Sequence, residues 1–209
     1  MSSDTLVQGA ASEIRDCISL FLRALARREI AVRNEADLQH ELALWLRLQL
    51  KGDVTLSMEC DAGLLGLDGA DSLLKHRADI VLSRPQTGLR HCIELKYQAP
   101  RQGQYPERMF AACGDVGFLE QLVSASFGVS YFLMISEDHL LWEGPKRTGI
   151  YSMFRDGLPL RGTVVQPTRR KKQLPPVRFS GEYPVDWRDL GPGRRYLLIE
   201  VGPGKQKEQ

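Results

Sequence analysis

The sequence is poor in cysteine, in aromatic residues and in unbalanced charge. Its four cysteines are scattered, and no two of them are spaced as the ligands of a metal site are. So few thiols argue against a disulfide framework and favour reduced, mostly buried cysteines. The net charge is only +2, so the composition permits a nucleic-acid partner without demanding one. The cysteines are Cys17, Cys60, Cys92 and Cys113.

Long apolar runs are missing as well. Nowhere do about 18 apolar residues follow one another, as a membrane-spanning helix would require. The first residues lack the basic and then apolar layout of a secretory signal. We therefore expect a cytoplasmic protein with no membrane partner. The chain also has no P-loop, no dinucleotide-binding fingerprint and no nucleophile-elbow serine, which argues against the enzyme classes built on those motifs.

The composition that remains is that of a globular chain, with 43% hydrophobic and 26% charged residues. A length of 209 residues suits one domain with a sizeable buried core. We predict a single domain over residues 1–209, with its core at about 35–136 and a β-rich extension at about 149–201. A separate C-terminal subdomain is the alternative for that extension. Residues 202–209 are predicted to form a disordered tail.

Hydrophobic periodicity predicts helices and strands that alternate through the middle of the chain. Capping signals place the starts of three helices at Ser12, Asn34 and Asp115. The stretches 1–11 and 98–114 are predicted to be largely irregular. This order of elements predicts an α/β or α+β fold, with a sheet flanked by helices. Strands are predicted at 54–60, 77–83, 91–97, 129–136, 149–154, 162–165, 177–179 and 196–201.

Charged residues on two neighbouring predicted strands carry the strongest chemical signal. Asp79 interrupts the first strand, and Glu94 and Lys96 share one face of the second because strand side chains alternate. Two carboxylates and an ammonium on otherwise apolar strands are costly to bury without compensation. A divalent cation is the leading candidate for that compensation. The alternative is an ordinary buried ion pair between Asp79 or Glu94 and Lys96 or Arg77.

The predicted helix that precedes these strands contributes one further carboxylate. Its apolar stripe includes Leu38, Leu42 and Trp45, and Glu41 lies on the edge of that stripe. We therefore expect Glu41 to lean toward the core rather than toward open solvent.

These residues together resemble the catalytic signature of the PD-(D/E)xK nuclease superfamily. The pattern is Arg-x-Asp with three apolar residues, and Glu-Leu-Lys begins fifteen residues after the aspartate. The order of the predicted elements over about 35–136 is similar to the restriction-endonuclease-like fold of that superfamily, a mixed central sheet flanked by helices. Ala78 stands where the proline of the motif would be. The resemblance implies that Asp79 and Glu94 bind metal and that Lys96 is the catalytic lysine.

The resemblance also extends to two helices. It implies that Glu41 is the catalytic and metal-binding glutamate supplied by the first core helix. Gln121 falls where several branches of the superfamily carry a catalytic glutamine. The implied activity is hydrolysis of phosphodiester bonds, dependent on Mg²⁺ or Mn²⁺, that leaves a 5′-phosphate. DNA is the expected substrate, with RNA as the open alternative.

A competing hypothesis keeps the nuclease-like fold without the activity. The chain would then be a binding or assembly subunit of a nucleic-acid-processing or defence complex. A homodimer or a protein partner is compatible with either hypothesis. The basic segment Arg169, Arg170, Lys171 and Lys172 is a candidate for contacts with phosphates, and a solvated surface loop is the equal alternative.

Overall fold

The chain is described by a computed structural model over residues 3–65, 72–168 and 173–203. Four helices and a six-stranded mixed sheet, together with a small two-stranded sheet, make up an α+β architecture. This confirms the predicted helix-flanked sheet and the β-rich C-terminal third. Within the described ranges, none of the helices has the length and apolar character needed to cross a bilayer.

The secondary structure elements are named in chain order. The helices are α1 (Ser3–Ala26), α2 (Glu35–Gln49), α3 (Tyr105–Ser124) and α4 (Ile150–Asp156). The strands are β1 (Thr55–Asp61), β2 (Arg77–Arg84), β3 (Leu89–Gln98), β4 (Ser130–Ser136), β5 (Leu160–Val164), β6 (Val177–Tyr183), β7 (Trp187–Asp189) and β8 (Arg195–Val201).

The main sheet has the strand order β1-β2-β3-β4-β8-β7. Only the pair β3–β4 is parallel, and the chain makes this crossover through α3. Strands β5 and β6 pair separately and pack against α3 through Val177 and Phe179. The central strands β3 and β4 are therefore covered on both faces.

Two apolar cores lie on opposite faces of this sheet. On one side α1 and α2 bring Phe21 and Leu42 against Leu95 of β3. On the other side α3 packs Phe118 against Phe132 of β4, in a core that the C-terminal strands extend. Burial of this apolar surface is the main favourable contribution to folding.

The structure corrects three predicted boundaries. Helix α1 begins at Ser3 rather than Ser12, and its Ala10 and Ala11 are already buried. Helix α3 begins at Tyr105 rather than Asp115, because Pro106 is tolerated in a first helical turn. Residues 149–154, predicted as a strand, belong largely to α4.

Helix α4 buries Ile150 and Phe154, which are four residues apart and share one helical face. That spacing favours a helix over the alternation of a strand.

Of the predicted tail, Gly202 and Pro203 have no regular structure, and 204–209 lie outside the described residues.

Candidate active site

The candidate site lies where strands β2 and β3 part. Their antiparallel pairing ends at Ile80 and Ile93, one residue before Asp79 would face Glu94. Beyond that point β2 stays paired with β1, whereas β3 stays paired with β4. The two strands therefore leave a gap in the ladder of backbone hydrogen bonds.

The side chains of Asp79, Glu94 and Gln39 bond to backbone groups at this gap. Asp79 Oδ2 accepts the backbone N–H of Leu95 at 2.7 Å, and Glu94 Oε1 accepts the backbone N–H of Asp79 at 3.2 Å. The carbonyl of Asp79 accepts a hydrogen bond from Gln39 Nε2 at 2.7 Å. Buried backbone groups need partners, and here side chains supply them. Asp79 and Glu94 are thus held beside each other.

Lys75, which sequence reasoning missed, points into this carboxylate pair. Its ammonium binds Glu94 Oε2 and lies 2.8 Å from Asp115 Oδ1 and 4.0 Å from Asp79 Oδ1. Three carboxylates from three elements therefore surround one cation. Arg77, the other predicted ion-pair partner, instead pairs with Glu59 at 3.6 Å.

Lys96 lies on the same side of β3 as Glu94. Its Nζ is 3.2 Å from Asp115 Oδ2 and 3.5 Å from Glu35 Oε1, and it donates to the carbonyl of Leu95 at 3.0 Å. Asp115 therefore contacts both lysines and connects them. The other oxygen of Glu35 accepts the backbone N–H of Tyr97 at 3.2 Å.

Helix α2 reaches the site through residues other than Glu41. Glu35 and Gln39 are four residues apart, so they share the helical face that meets the diverging strands. Glu41 is two residues past Gln39, about 200° around the helix, and is partly buried on another side. Within the described part of the chain its side chain makes no hydrogen bond or ion pair. The structure thus brings Glu35, not Glu41, to Lys96.

Gln121 also lies apart from Asp79 and Glu94. Its Oε1 accepts the backbone N–H of Leu74 at 2.8 Å, and its Nε2 donates to the carbonyl of Ser72 at 3.4 Å. These bonds tie α3 to the segment that ends in Lys75. Gln121 therefore supports the position of Lys75 and does not touch the two carboxylates.

Asp115 lies inside α3 with 3% of its surface exposed. The neighbouring positions Ala112, Val116 and Leu119 on this face of the helix are all fully buried. An acidic residue within the apolar stripe of a helix was the signal that could have revealed it. The prediction of Asp115 as a helix cap concealed that signal.

Burial governs the electrostatics of the carboxylates. It raises the pKa of the fully buried Glu94 well above its usual value, and the charges of Asp79 and Asp115 raise it further. Burial also raises the pKa of Asp79. Both groups consequently favour a nearby proton or cation.

For the two lysines, the neighbouring carboxylates outweigh the effect of burial on the pKa. Burial would lower the pKa of Lys75, but Glu94, Asp115 and Asp79 outweigh it and raise the pKa. For Lys96 burial is likewise outweighed, chiefly by Asp115 and Glu35, so its pKa is also raised. Both side chains therefore carry a positive charge at neutral pH.

A cleft of about 330 Å³ opens onto the site. Lys75, Lys96 and Asp115 line its charged part, and Phe110 and Val177 are among the apolar residues that line the remainder. The predicted phosphate-contacting segment 169–172 lies outside the described residues.

The oxygen atoms that converge here are the ligand type that Mg²⁺ prefers. Nevertheless, among the described residues no group of three or more His, Cys, Asp or Glu side chains stands ready as a metal site. The observed cation at this position is the ammonium of Lys75.

Comparison of the chain with protein-family models, curated proteins and solved structures gave no match. The function has to be inferred from the residues and their geometry.

Proposed function

We propose that this protein is a metal-dependent nuclease that hydrolyses phosphodiester bonds in DNA. The observation that carries the proposal is the pairing of Asp79 and Glu94 where β2 and β3 part, with Lys96 linked to them through Asp115 and Lys75 beside an open cleft. Buried carboxylates next to a positive charge suit a reaction in which negative charge grows on phosphate oxygens.

The residues fit Mg²⁺ or Mn²⁺ by their chemistry. Asp79 and Glu94 offer hard oxygen donors, and burial makes their negative charge costly without a cation. These two residues would hold the ion. When bound, it would act as a Lewis acid and lower the pKa of a coordinated water.

Lys96 contributes charge and orientation. Its raised pKa keeps it protonated at neutral pH, so it would offset the phosphate charge and orient the attacking water rather than accept its proton. Asp115 and Glu35 hold its ammonium in place. Attack of water on phosphorus with cleavage of the bond to O3′ would leave a 3′-hydroxyl and a 5′-phosphate.

A second cleft supports a nucleic-acid partner. It has a volume of about 550 Å³ and lies beyond the carboxyl ends of β3 and β4. Arg28, Arg33 and Arg194 line it, and Arg33 is two residues from Glu35. Guanidinium groups grouped in a concave surface suit the phosphates of a polynucleotide.

The alternative is a nuclease-fold subunit that binds nucleic acid or protein without cleaving it. The contacts of Lys75 with three carboxylates favour this candidate, because a built-in ammonium already compensates their charge. The two candidates differ in whether a divalent cation enters the site.

Cleavage assays separate the two candidates. We expect the purified protein to cleave single- or double-stranded DNA with Mg²⁺ or Mn²⁺, and EDTA to stop the reaction. Asp79→Asn and Lys96→Met should abolish cleavage. Asp186→Asn and Lys51→Met change exposed residues away from the site and should cleave as the wild type does.

Two other results are informative. Cleavage that persists unchanged in both site variants would identify a contaminating nuclease and end the proposal. DNA binding without cleavage, equal in the wild type and Asp79→Asn, would establish the binding subunit instead.

A further inference from the structure

We propose that Asp115 completes a three-carboxylate cation site with Asp79 and Glu94, and that Lys75 holds the place of the divalent ion in the metal-free protein. The inference rests on the proposed function and adds two residues to it. Lys75 competes with the metal, and Asp115 binds the metal as a third carboxylate.

The contacts of Lys75 are those of a cation at the centre of an anionic site. Its ammonium binds Glu94, lies 2.8 Å from Asp115 and is 4.0 Å from Asp79. The side chain of Glu94 is fully buried and that of Asp115 is 5% exposed, whereas that of Lys75 is 27% exposed. The carboxylates thus form the floor and Lys75 enters from the solvent side.

Lys75 can leave without disturbing the sheet. It belongs to the segment before β2, and that segment is attached to α3 through the bond from Leu74 N–H to Gln121. A flexible four-carbon stem lets its ammonium move into the adjoining cleft, which Lys75 also lines. Asp79 and Glu94 stay in place because each is bound to backbone.

Asp115 has the placement expected of a ligand. It is fixed on α3, and its Oδ2 is buried without a hydrogen-bond partner among the described residues, although Lys96 lies 3.2 Å away. An incompletely bonded buried carboxylate oxygen is costly. Asp115 Oδ1 faces the position of the Lys75 ammonium, so a cation there would bind this carboxylate while Lys96 stays beside Oδ2.

Charge balance favours the exchange. The carboxylates of Asp79, Glu94 and Asp115, with Glu35 beside Lys96, exceed the ammonium groups of Lys75 and Lys96 by two negative charges when every group is ionised. A divalent cation in place of Lys75, with Lys96 retained, would reduce that excess to one. Because the ion must displace Lys75, its apparent affinity is lower than the carboxylates alone would provide.

Metal binding tests the competition directly. Isothermal titration calorimetry with Mn²⁺ should give a Kd at least about tenfold lower for Lys75→Met than for the wild type. Lys51→Met is the matched control and should bind as the wild type does. Asp115→Asn should weaken binding by about tenfold while keeping the shape of the side chain. In EDTA, Lys75→Met should melt at a lower temperature than the wild type. Mn²⁺ should raise the Tm of Lys75→Met more than it raises the Tm of the wild type.

A second measurement uses the wild-type chain, in case Lys75→Met does not fold. Reductive methylation with formaldehyde, read by mass spectrometry, reports whether each lysine amine is free. Lys75 should be protected in EDTA and become reactive in Mn²⁺, whereas Lys51 should react equally in both.

The outcomes separate the inference from the proposed function. Equal Mn²⁺ affinity of Lys75→Met and wild type, or Lys75 reactivity unchanged while Mn²⁺ binds, would overturn the competition and leave the nuclease proposal standing. Wild-type affinity in Asp115→Asn would remove Asp115 from the site. If neither the wild type nor Lys75→Met binds Mn²⁺, both the inference and the metal-dependent function fail.

Discussion

Strand β3 has two buried faces of opposite character. Beneath α1 and α2 it presents Ile93 and Leu95, both fully buried among apolar side chains. Beneath α3 it presents Glu94 and Lys96, which are held by charged partners. The two faces alternate residue by residue, so the same strand packs on one side and carries the candidate site on the other.

The difference lies in what supports each face. The apolar face needs only close packing, in which many neighbours contribute a little each. The charged face depends on a few partners from separate elements, namely Lys75, Asp115 and Glu35. Changes on the first face should therefore alter stability, and changes on the second should alter the proposed metal binding and DNA cleavage.

The largest expected effect is on the apolar face. Leu95→Ala should lower the free energy of unfolding by about 2–5 kcal/mol, because it leaves a cavity in a fully buried core. Urea unfolding followed by circular dichroism measures this. Leu48→Ala, at a position 71% exposed, should stay within about 0.5 kcal/mol of the wild type. Equal losses in the two variants would contradict the assignment of this face as the core.

The packing of α3 over the charged face can be tested at two of its glycines. A Cβ at Gly117 of α3 would lie 2.7 Å from Val177 Cγ1 and 2.9 Å from Leu74 Cδ1. Gly117→Ala should therefore cost about 1–3 kcal/mol through overpacking. Gly114→Ala is the matched control on the same helix, with nothing within 4 Å of its added Cβ. It should gain about 0.5–1 kcal/mol from helix propensity. A gain in both variants, measured by thermal unfolding, would show that α3 is not closely packed here.

A change on the charged face should separate stability from activity. Asp79→Asn should change the free energy of unfolding by less than about 1 kcal/mol, because its amide oxygen can still accept the N–H of Leu95. Burial, which raises the pKa of Asp79, also makes loss of the charge tolerable. DNA cleavage should fall by at least about 100-fold. A large loss of stability in urea unfolding would instead make Asp79 a structural residue.

The smallest effect concerns pH and lies at the opposite end of β3. His91 is 2% exposed, its Nδ1 bonds the carbonyl of Val129 at 2.7 Å, and its buried Nε2 has no hydrogen-bond partner among the described residues. Burial lowers the pKa of His91 below 6.5 in the folded state, with a lesser contribution from Arg84. The unfolded chain therefore binds more protons just below pH 6.5, and stability falls as the pH drops through that range.

Urea unfolding between about pH 7.5 and 5 tests this. The wild type should lose stability relative to His91→Gln as the pH falls. The exposed His40→Gln should follow the wild type over the same range. A constant difference between the wild type and His91→Gln would show that His91 does not titrate differently on folding.

Much of this arrangement could be predicted from local patterns. The alternation in β3 puts Glu94 and Lys96 on one face, and a short turn makes β2 its neighbour, so Asp79 has to lie near them. The capping side chain of Asn34, which accepts the N–H of Asp37 at 2.8 Å, was likewise predicted. These features depend on residues close together in sequence.

The remaining partners of the site depend on distances across the fold. Glu35 rather than Glu41 meets Lys96 because of how α2 is rotated about its axis against the sheet. Asp115 and Lys75 are forty residues apart and meet only because α3 crosses the sheet between two parallel strands. No local periodicity encodes those approaches.

The sequence by itself determined the fold class and the placement of Asp79, Glu94 and Lys96 on neighbouring strands, because strand periodicity and a short turn are local constraints. Tertiary packing alone decided that Asp115 joins them and that Lys75 supplies the cation. Burial raises the cost of every uncompensated charge, so the fold had to bring these distant groups together.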